Sequence, residues 1–374
     1  MKIPSIIKDL LKKTSFGKRQ YIKQNGLLSI DEVKDLLDKA PKLFLGYKTS
    51  AKIGIVKERK EFESLVFPMT SWPKYERFCK NNNIEYGLID ITRSDWMDQV
   101  KKYDIIMWHT DSSPASQLMA ETKIYIMEKE MGKLCFPSFH EVWQYENKIR
   151  AAYMYNYHSI PSIPTFVTNN KEDALNKIEK CDFPIIYKLS TGSGSKGVFK
   201  LNSKSSAVKL INRIFKYGQP TYWGYVKTKN EFYMQEFIHD ATYDLRVMMV
   251  DDMAFGYFRY PKAGDFKASG SHIFEKKEIP AVALKLAYSI KNKLHARQIG
   301  VDMLYSTTTN QYYIIETSTF NQIDSPEQLV VNGVPGYYDL SDINNIKFKE
   351  GRFWIQELTL KSVIDDWTKR KKLN

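Results

Sequence analysis

The sequence contains few cysteines and no long apolar run, and both absences exclude classes of protein. Its three cysteines, Cys79, Cys135 and Cys181, lie far apart in 374 residues. They match neither a zinc-binding spacing nor a disulfide framework, so a reducing cytoplasm is the simpler inference. No stretch approaches the length of a membrane span, and the N-terminus lacks the apolar region of a signal peptide. We therefore expect a cytoplasmic protein without a transmembrane segment.

Familiar nucleotide-binding and catalytic motifs are missing as well. The spacings of a Walker A loop and of a Rossmann fingerprint are absent, and no Ser-His-Asp or Cys-His arrangement stands out. The composition is nevertheless globular, with 43% apolar and 26% charged residues. A formal charge of +13 favours anionic partners, from nucleotides and acidic sugars to nucleic acid or a membrane surface. Because no nucleic-acid module is recognisable, we expect no nucleic-acid partner.

The first part of the chain alternates strands and helices. Helical spacing beside many lysines predicts short helices over residues 1–50, either packed on the body or in peripheral contact with a membrane. From residue 51 the pattern predicts strands over 52–56, 86–91, 104–108 and 133–136. It predicts helices over 71–80, from Ser94, over 115–131 and over 140–157. That order indicates a small open parallel sheet covered on both faces.

Ligands of such sheets bind beyond the carboxyl ends of the strands. The loop after the third predicted strand contains His109 and Asp111, which makes both residues candidates for binding a polar substrate. The alternative for the following Ser112-Ser113-Pro114 is a helix cap.

The second part of the chain is predicted to be a mixture of antiparallel strands and helices. The strands are expected over residues 184–187, 198–201, 232–238, 244–250, 254–260, 299–305 and 312–316. The helices are expected over residues 171–180, 204–215, 280–295 and 353–367. This order of strands and helices is typical of an α+β region.

A loop rich in glycine and serine, residues 191–197, joins two of these strands. Its small residues and consecutive amides can cradle phosphate oxygens, and glycine lets the backbone approach an anion closely. Lys188 falls inside the preceding apolar strand, where its charge needs a partner. The alternative is a plain Gly/Ser hairpin without a ligand.

Two acidic residues, Asp302 and Glu316, are equidistant from Thr309 in a predicted hairpin. A regular hairpin would place them opposite each other in otherwise apolar strands. Two carboxylates that close repel each other unless a cation lies between them, and Mg²⁺ typically takes one or two carboxylates plus substrate phosphates. The alternative is a pair of carboxylates neutralised by buried lysines.

Strand alternation places Asp244 and Arg246 on one face, with Leu245 and Val247 on the other. A carboxylate suits ribose hydroxyls and a guanidinium suits phosphate oxygens, although a salt bridge between the two would explain the pair equally well. Arg259 on the next strand offers a second cation, and Lys262 and Lys267 follow in a basic loop.

One stretch, Gln235-Glu236-Phe237-Ile238, is a strand end whose backbone groups can mimic a base-pair edge for adenine. Taken in order, the chain shows Lys148, Lys188, the loop 191–197, this stretch, Asp244-Leu245-Arg246, Arg259 with Gly264-Asp265-Phe266, Val301-Asp302-Met303 and Ile315-Glu316-Thr317-Ser318. The series resembles the ATP-grasp superfamily, especially the bacterial glutamate-adding (RimK-type) carboxylate–amine ligases. The resemblance covers about residues 50–325.

The resemblance implies an α/β domain followed by an α+β body in which two subdomains clamp ATP. We expect an N-terminal helical extension over residues 1–50 and a Rossmann-like pre-ATP-grasp domain over 51–140. The small ATP-grasp subdomain with its glycine-rich flap would span 141–230, and the large subdomain with its metal site 231–345. A helical tail would occupy 346–374.

The resemblance also implies roles for individual residues in binding ATP and Mg²⁺. Lys148 and Lys188 would hold the phosphates, and Ser193, Gly194, Ser195 and Lys196 would close over them. Gln235 to Ile238 would form the adenine hinge, with Glu236 beside the exocyclic amine. Asp244 would bind ribose, with Asp240 competing for that role.

Further roles concern the reaction itself. Arg246 and Arg259 would steady the γ-phosphate and the acyl-phosphate, and Asp302 and Glu316 would bind Mg²⁺. The family usually has Asn where this chain has Ser318, which puts a second metal position in doubt unless Asn321 substitutes.

The implied activity is ATP-dependent amide formation through an acyl-phosphate. The alternatives are an ATP-grasp kinase acting on a sugar or polyol hydroxyl, and a non-catalytic basic protein that binds nucleic acid or membrane. The cationic face suggests an acidic small molecule such as a uronic acid or a nucleotide sugar, together with an amine. Its candidate binding residues are His109, Asp111, Lys262, Lys267 and Ser269. The oligomeric state stays open, with a homodimer as one alternative.

Overall fold

The computed structural model describes residues 35, 37, 39–57, 71–192, 197–221, 223–271, 273–319 and 327–373. The helices predicted before residue 35 lie outside the described residues. So do Ser193, Gly194, Ser195 and Lys196 of the glycine-rich loop, and Asn321.

The strands are short and fall into two groups along the chain. In order they are β1 (Ile53–Val56), β2 (Tyr86–Ile89), β3 (Ile105–Met107), β4 (Leu134–Phe136), β5 (Thr165–Thr168), β6 (Ile185–Lys188), β7 (Val198–Leu201), β8 (Gln219–Pro220), β9 (Lys227–Thr228), β10 (Phe232–Glu236), β11 (Asp244–Val250), β12 (Met253–Arg259), β13 (Phe274–Glu275), β14 (Gln298–Ser306), β15 (Gln311–Ser318), β16 (Val330–Val331), β17 (Val334–Asp339) and β18 (Lys347–Glu350).

The helices alternate with the strands in the first group and lie between hairpins in the second. In order they are α1 (Trp72–Asn81), α2 (Trp96–Lys101), α3 (Pro114–Tyr125), α4 (Phe139–Gln144), α5 (Lys148–Tyr157), α6 (Lys171–Glu179), α7 (Lys204–Tyr217), α8 (Ala281–Lys293) and α9 (Ile355–Leu373). A π-helical turn, Ile126–Glu130, continues α3. None of the described helices combines the length and apolar character needed to cross a membrane.

The first sheet is parallel, as the sequence predicted, and its strands lie in the order β2-β1-β3-β4. Alternate residues of its strands enter two separate clusters of buried side chains, so the sheet is covered on both faces. One cluster contains Ile53 and Ile55 together with Leu360 and Val363 of α9. The C-terminal helix therefore covers one face of the N-terminal sheet, which its place in the chain did not indicate.

The two remaining large sheets are antiparallel. One has the order β5-β10-β6-β7, and α6 and α7 bury Ala174, Ile178, Ile211 and Ile214 against it. The other follows the path β15-β14-β11-β12-β17-β16, with β13 and β18 paired at its side. Helix α8 packs on β11 and β14 of that sheet. The architecture is the predicted combination of α/β and α+β parts.

The helix predicted over residues 140–157 is wrong, because the structure has two helices there. Helix α4 begins with a capping box between Ser138 and Glu141. It ends before Tyr145, and Asn147 starts α5 by accepting a hydrogen bond from the Arg150 amide at 3.1 Å. Smaller differences concern helix ends: α2 begins at Trp96 after Asp95 rather than at Ser94, and α9 runs on to Leu373.

Candidate active site

A cleft of about 310 Å³ lies between the β5-β10-β6-β7 sheet and the sheet that contains β11, β12, β14 and β15. Many of the residues singled out in the sequence line it. They are Lys148, Lys188, Gln235, Glu236, Phe237, Ile238, Asp244, Arg259, Lys267, Ser269, Asp302 and Glu316. Residues separated by up to 168 positions in the chain therefore share one cavity.

The two hairpin carboxylates face each other as predicted. Asp302 on β14 is the cross-strand partner of Glu316 on β15. The pairing register shifts just beyond them, so that Met303 pairs with Ile314 and Ile315 forms a bulge. Asp302 is 3% exposed, whereas the side chain of Glu316 is 38% exposed and open to the cleft.

Two arginines neutralise Asp302. The Arg246 Nε and Nη2 atoms donate to the two oxygens of Asp302 at 2.6 and 2.7 Å, and Arg259 Nη2 lies 2.8 Å from Oδ2. Arg259 also donates through Nε to Asp244. Asp244 and Arg246 are thus paired with residues on neighbouring strands and not with each other.

This network shifts the pKa values of its members. Burial alone would raise the pKa of Asp302, but the charges of Arg246 and Arg259 hold it well below its usual range. Burial and the negative charge of Asp302 raise the pKa of Asp244, against the opposing effect of Arg259. Of the two aspartates in this network, Asp302 is therefore the more firmly ionised at neutral pH.

Two lysines reach the same region from the other sheet and from α5. Lys148 Nζ donates to the carbonyl oxygen of Gly192 at 2.6 Å and lies 3.8 Å from Glu316 Oε2. Lys188, at the end of β6, is 5% exposed. Burial lowers its pKa from 10.5 to about 8, with Lys148 adding to the effect and Glu316 opposing it. Both lysines adjoin the base of the glycine-rich loop, where an anion would gain most from them.

The far end of the cleft is apolar and aromatic. Strand β10 ends at Glu236, and Phe237 and Ile238 continue along the cleft wall. The Phe237 ring packs edge-on against Phe266, with centroids 6.0 Å apart, and Lys200 Nζ lies 3.9 Å from the Phe237 centroid. The side-chain amide of Gln235 donates a hydrogen bond to the Thr165 hydroxyl at 3.0 Å. A flat aromatic base fits such walls.

Other predicted residues lie outside the cleft lining. Arg246 is bonded to Asp302 but does not itself line the cleft, and Ser318 pairs with Gly300 on β14. Lys262 is exposed. Asp240 accepts hydrogen bonds from Ser306, Thr307 and Thr308, which ties it to the β14–β15 turn and not to the cavity.

The polar loop after β3 also lies apart from the cleft lining. Asp111 accepts from the Ser113 amide at 2.6 Å and from the Ser116 hydroxyl at 2.5 Å, and Ser113 caps α3. His109 is buried, and its pKa is lowered to about 4 by burial and by the charge of Lys74. The helix-cap interpretation of Ser112-Ser113-Pro114 is therefore confirmed, and a substrate role for His109 and Asp111 stays a prediction.

Sequence reasoning missed Glu146, which lies in the break between α4 and α5. Its backbone has a φ of 52°. Burial raises its pKa to about 7, and the charges that act on it are those of Lys148, Glu316, Arg246 and Asp302. Asn147, a helix-capping type of residue in the middle of a helical pattern, was the available signal for this break.

The carboxylates of the cleft suit a divalent cation shared with a ligand. Within the part of the chain that the structure describes, no three His, Cys, Asp or Glu side chains converge as a metal cage. Asp302 Oδ1 accepts one hydrogen bond and so keeps one lone pair, and the Glu316 oxygens face the cavity. Mg²⁺ is held in this way, by one or two carboxylates completed by phosphate oxygens.

Comparison with known proteins agrees with this geometry. Residues 145–331, half of the chain, match a family model described as the RimK-like ATP-grasp domain. The chain is 24% identical over 228 residues to the α-aminoadipate–LysW ligase LysX of Saccharolobus solfataricus, and the alignment covers 60% of this chain and 72% of LysX.

Solved structures with a similar fold include two ligases. One is a D-alanine–D-alanine ligase from Bacillus anthracis complexed with ATP, with a TM-score of 0.50, 15% identity, and coverage of 73% of this chain and 87% of that one. Another is D-alanyl-alanine synthetase A from Vibrio cholerae, with a TM-score of 0.52, 12% identity, and coverage of 74% and 90%. At these identities the likeness concerns the fold.

Proposed function

The chain belongs to the RimK-like ATP-grasp family, and we propose that it is an ATP-dependent ligase that joins a carboxylate to an amine. The observation that carries the proposal is the single cleft in which Lys148, Lys188, Arg259, Asp302 and Glu316 meet. Clustered cations and carboxylates of this kind suit a nucleoside triphosphate with its metal ion.

In this proposal ATP lies along the cleft between the two antiparallel sheets, so that residues 141–230 and 231–345 act as the halves of a clamp. The base packs beside Phe237 and Ile238 and takes backbone hydrogen bonds at the end of β10. Asp244 faces the ribose. Lys148 and Lys188 contact the phosphates, and the glycine-rich loop with Ser193 to Lys196 covers them.

Asp302 and Glu316 would hold Mg²⁺ in this arrangement, and Ser318 would contribute at most a weak oxygen ligand. The ion would supply positive charge that neutralises the β- and γ-phosphates. Arg246 keeps Asp302 ionised through its two hydrogen bonds, so this side chain also positions the carboxylate.

The first chemical step transfers the γ-phosphoryl group to the substrate carboxylate. A carboxylate oxygen forms the new P–O bond, the bond to the β-phosphate oxygen breaks, and ADP leaves with an acyl-phosphate as the other product. Arg259 and the two lysines stabilise the charge that spreads over the transferred oxygens. A cleft closed by the loop excludes water, which would otherwise hydrolyse the acyl-phosphate.

In the second step a neutral amine attacks the acyl carbon. The C–N bond forms, the C–O bond to phosphate breaks, and the products are an amide, inorganic phosphate and a proton. No nucleophilic side chain of the protein is needed, since the phosphate is already a good leaving group.

The substrate class belongs to the same proposal. We infer an acidic small molecule such as a uronic acid or a nucleotide sugar, because Lys267 and Ser269 line the cleft beside Arg259. The neighbouring Lys262 is exposed and adds to the positive field of this loop. His109 and Asp111 would extend the substrate site toward the first sheet.

The test is a screen of phosphate release from ATP and Mg²⁺ over carboxylates crossed with amines, including glucuronic acid, glutamate, α-aminoadipate and D-alanine. We expect release that requires both a carboxylate and an amine, and a hydroxamate when hydroxylamine replaces the amine. A stable phosphate ester of a sugar or polyol hydroxyl would instead identify a kinase and overturn the ligase proposal. ATP binding that survives Lys188→Ala and Asp302→Asn would argue against this site altogether.

A further inference from the structure

Lys200 lies on the cleft face of the β5-β10-β6-β7 sheet. It is the cross-strand partner of Ile186, and Val198, two residues earlier on β7, is the partner of Lys188. Ile186, Lys188 and Val198 all line the cleft, and residues two apart in a strand share a face. Strand geometry therefore places Lys200 beside these lining residues, further from the glycine-rich loop than Val198.

The ammonium group of Lys200 contacts two aromatic rings. Its Nζ atom lies 3.9 Å from the centroid of the Phe237 ring and 5.8 Å from that of Phe266. The two rings meet edge-on, with centroids 6.0 Å apart and planes at 77° or less, namely 74°. Among the residues that the structure describes, no carboxylate forms an ion pair with Lys200. The rings are therefore the partners of its charge, since a cation is attracted to the face of an aromatic ring.

This contact joins the two large antiparallel sheets. Lys200 belongs to β7 of the β5-β10-β6-β7 sheet, whereas Phe266 lies between β12 and β13 of the other sheet. Phe237 directly follows β10, where the chain passes from the first of these sheets to β11 of the second. Lys200 thus contacts both the connection between the two sheets and a loop of the opposite sheet.

The two ends of the cleft are bridged by different chemistry. At the end proposed for the phosphates, Lys148 Nζ from α5 lies 3.8 Å from Glu316 Oε2 of β15. A polyphosphate can replace such a carboxylate, because both offer anionic oxygens. At the end proposed for the base, the ammonium of Lys200 meets aromatic rings. A neutral base brings no anion to compete for Lys200, so this contact can persist when a nucleotide is bound.

Resting on the ATP site proposed above, we propose that Lys200 is a positioning residue, which holds the two halves of the clamp together at the base end of the cleft through its contact with Phe237 and Phe266. The nucleotide binds to the closed form, in which both sheets line the cleft. Without the contact a larger fraction of the protein is open, and the apparent affinity for the nucleotide falls in proportion to the closed fraction. Lys200 itself does not contact the nucleotide in this arrangement.

The experiment measures nucleotide binding by the full-length protein, so it does not depend on the identity of the carboxylate or the amine. The wild type is compared with Lys200→Met, Lys200→Arg and the control Lys177→Met. Lys177 is matched because its Nζ lies 5.7 Å from the ring centroid of Phe166 on β5 of the same sheet, but neither residue lines the cleft. Calorimetry gives the dissociation constant of ADP with Mg²⁺, displacement of ADP gives that of adenosine, and thermal unfolding is followed without ligand.

For Lys200→Met we expect the dissociation constants of ADP and adenosine to rise by the same factor, about 3- to 10-fold, with an unchanged melting temperature. ADP should also dissociate faster, because its release requires the cleft to open. Lys200→Arg should retain most of the affinity, since a guanidinium also stacks on aromatic rings. Lys177→Met should behave like the wild type.

A double-mutant cycle with Phe266→Leu tests the partner of Lys200. Phe266→Leu alone should weaken ADP binding. In the double variant the two losses should combine to less than their product, because each substitution breaks the same contact. Losses that multiply would show that the two residues act independently, and would overturn the inference.

Two further results would also overturn it. An unchanged dissociation constant of ADP in Lys200→Met would exclude a role in closure. A loss for ADP with unchanged binding of adenosine would make Lys200 a direct phosphate ligand. If instead the wild type bound no ADP, the ATP site would have failed, and with it both the proposed function and this inference.

Discussion

The charged face of β11, β12, β14 and β15 and the polar loop 109–113 look alike in the sequence but differ in the folded chain. In the sheet, Asp302 is bonded to Arg246, 56 positions earlier. In the loop, Asp111 is bonded to Ser113 and Ser116, two and five positions later. One set of polar groups is satisfied across strands and the other within a single turn.

This difference distinguishes a candidate ligand-binding site from the cap of a helix. A carboxylate bonded within its own turn is explained by that turn, because the local hydrogen bonds account for the residue type. A carboxylate held by arginines from two other strands in a buried cleft has a high desolvation cost, and its retention calls for a function or a structural constraint. Substitutions in each region should therefore affect activity and stability differently.

The largest effect is expected for Asp302→Asn. Removing this charge leaves Arg246 and Arg259 buried with less neutralisation, and we expect unfolding free energy to fall by about 3–5 kcal/mol. Turnover should fall about 1,000-fold, because a metal ligand and the anchor of two arginines are lost together. Denaturant unfolding and phosphate release measure the two effects. A variant as stable as the wild type would show that the ion-pair network is not a structural unit.

The next effect is expected for Lys188→Met. Phosphate release should fall about 100-fold or more. The free energy of unfolding, measured in the absence of ATP, should by contrast be higher for the variant than for the wild type. Lys188 has a pKa of about 8 when folded against 10.5 ordinarily. Between these values the unfolded chain holds a proton that the folded protein lacks, so stability rises with pH in this window.

Below pH 8 the full cost of burying this charge is present, and it amounts to about 3 kcal/mol. The gain in unfolding free energy from Lys188→Met should therefore be larger at pH 7 than at pH 10.5 by about that amount. Denaturant titrations of both proteins at the two pH values measure it. Equal gains at both values would contradict a buried charged lysine.

A smaller effect is expected for Asp111→Asn in the polar loop. The amide cannot accept both hydrogen bonds of the α3 cap, and we expect about 1 kcal/mol of lost stability with an unchanged KM for ATP. Thermal unfolding and steady-state kinetics provide the measurement. If the KM for the carboxylate rises while the melting temperature does not change, Asp111 is a substrate residue and the contrast between the two regions narrows.

The smallest effect is expected for Asp240→Asn, with Asp244→Asn as its counterpart. Asp240 bonds the β14–β15 turn at the surface, so its substitution should leave the KM for ATP within about twofold. Asp244 lines the cleft, and its substitution should raise that KM by a clearly larger factor. If Asp240→Asn raised the KM for ATP more than Asp244→Asn did, Asp240 would be the ribose-binding residue.

Much of the site was predictable where it depended on local pairing. The hairpin that carries Asp302 and Glu316 was predictable because a short turn joins its two strands, but the register set at the turn would by itself pair Asp302 with Ile315. The bulge at Ile315 brings Glu316 opposite Asp302, and the sequence did not predict that bulge. The strand that ends in Lys188 was recognisable from its β-branched run.

Other features could not be predicted because they depend on distant parts of the chain. The partner of Asp302 is set by how β11 pairs with β14, across more than fifty intervening residues. Glu146 gave no signal of its own, since a glutamate in a helical pattern is ordinary. Helix α9 packs against the first sheet, and this contact connects the C-terminal part of the described chain with its N-terminal part.

Most of the elements, the parallel character of the first sheet and the hairpin that carries two acids were predictable, because hydrophobic periodicity and turn lengths act over short distances. The folded chain was needed to show which cation meets which carboxylate, that a bulge brings Glu316 opposite Asp302, and which polar loop is a helix cap. Those outcomes depend on the desolvation and pairing of groups from separate strands, and such energies exist only once the strands have come together.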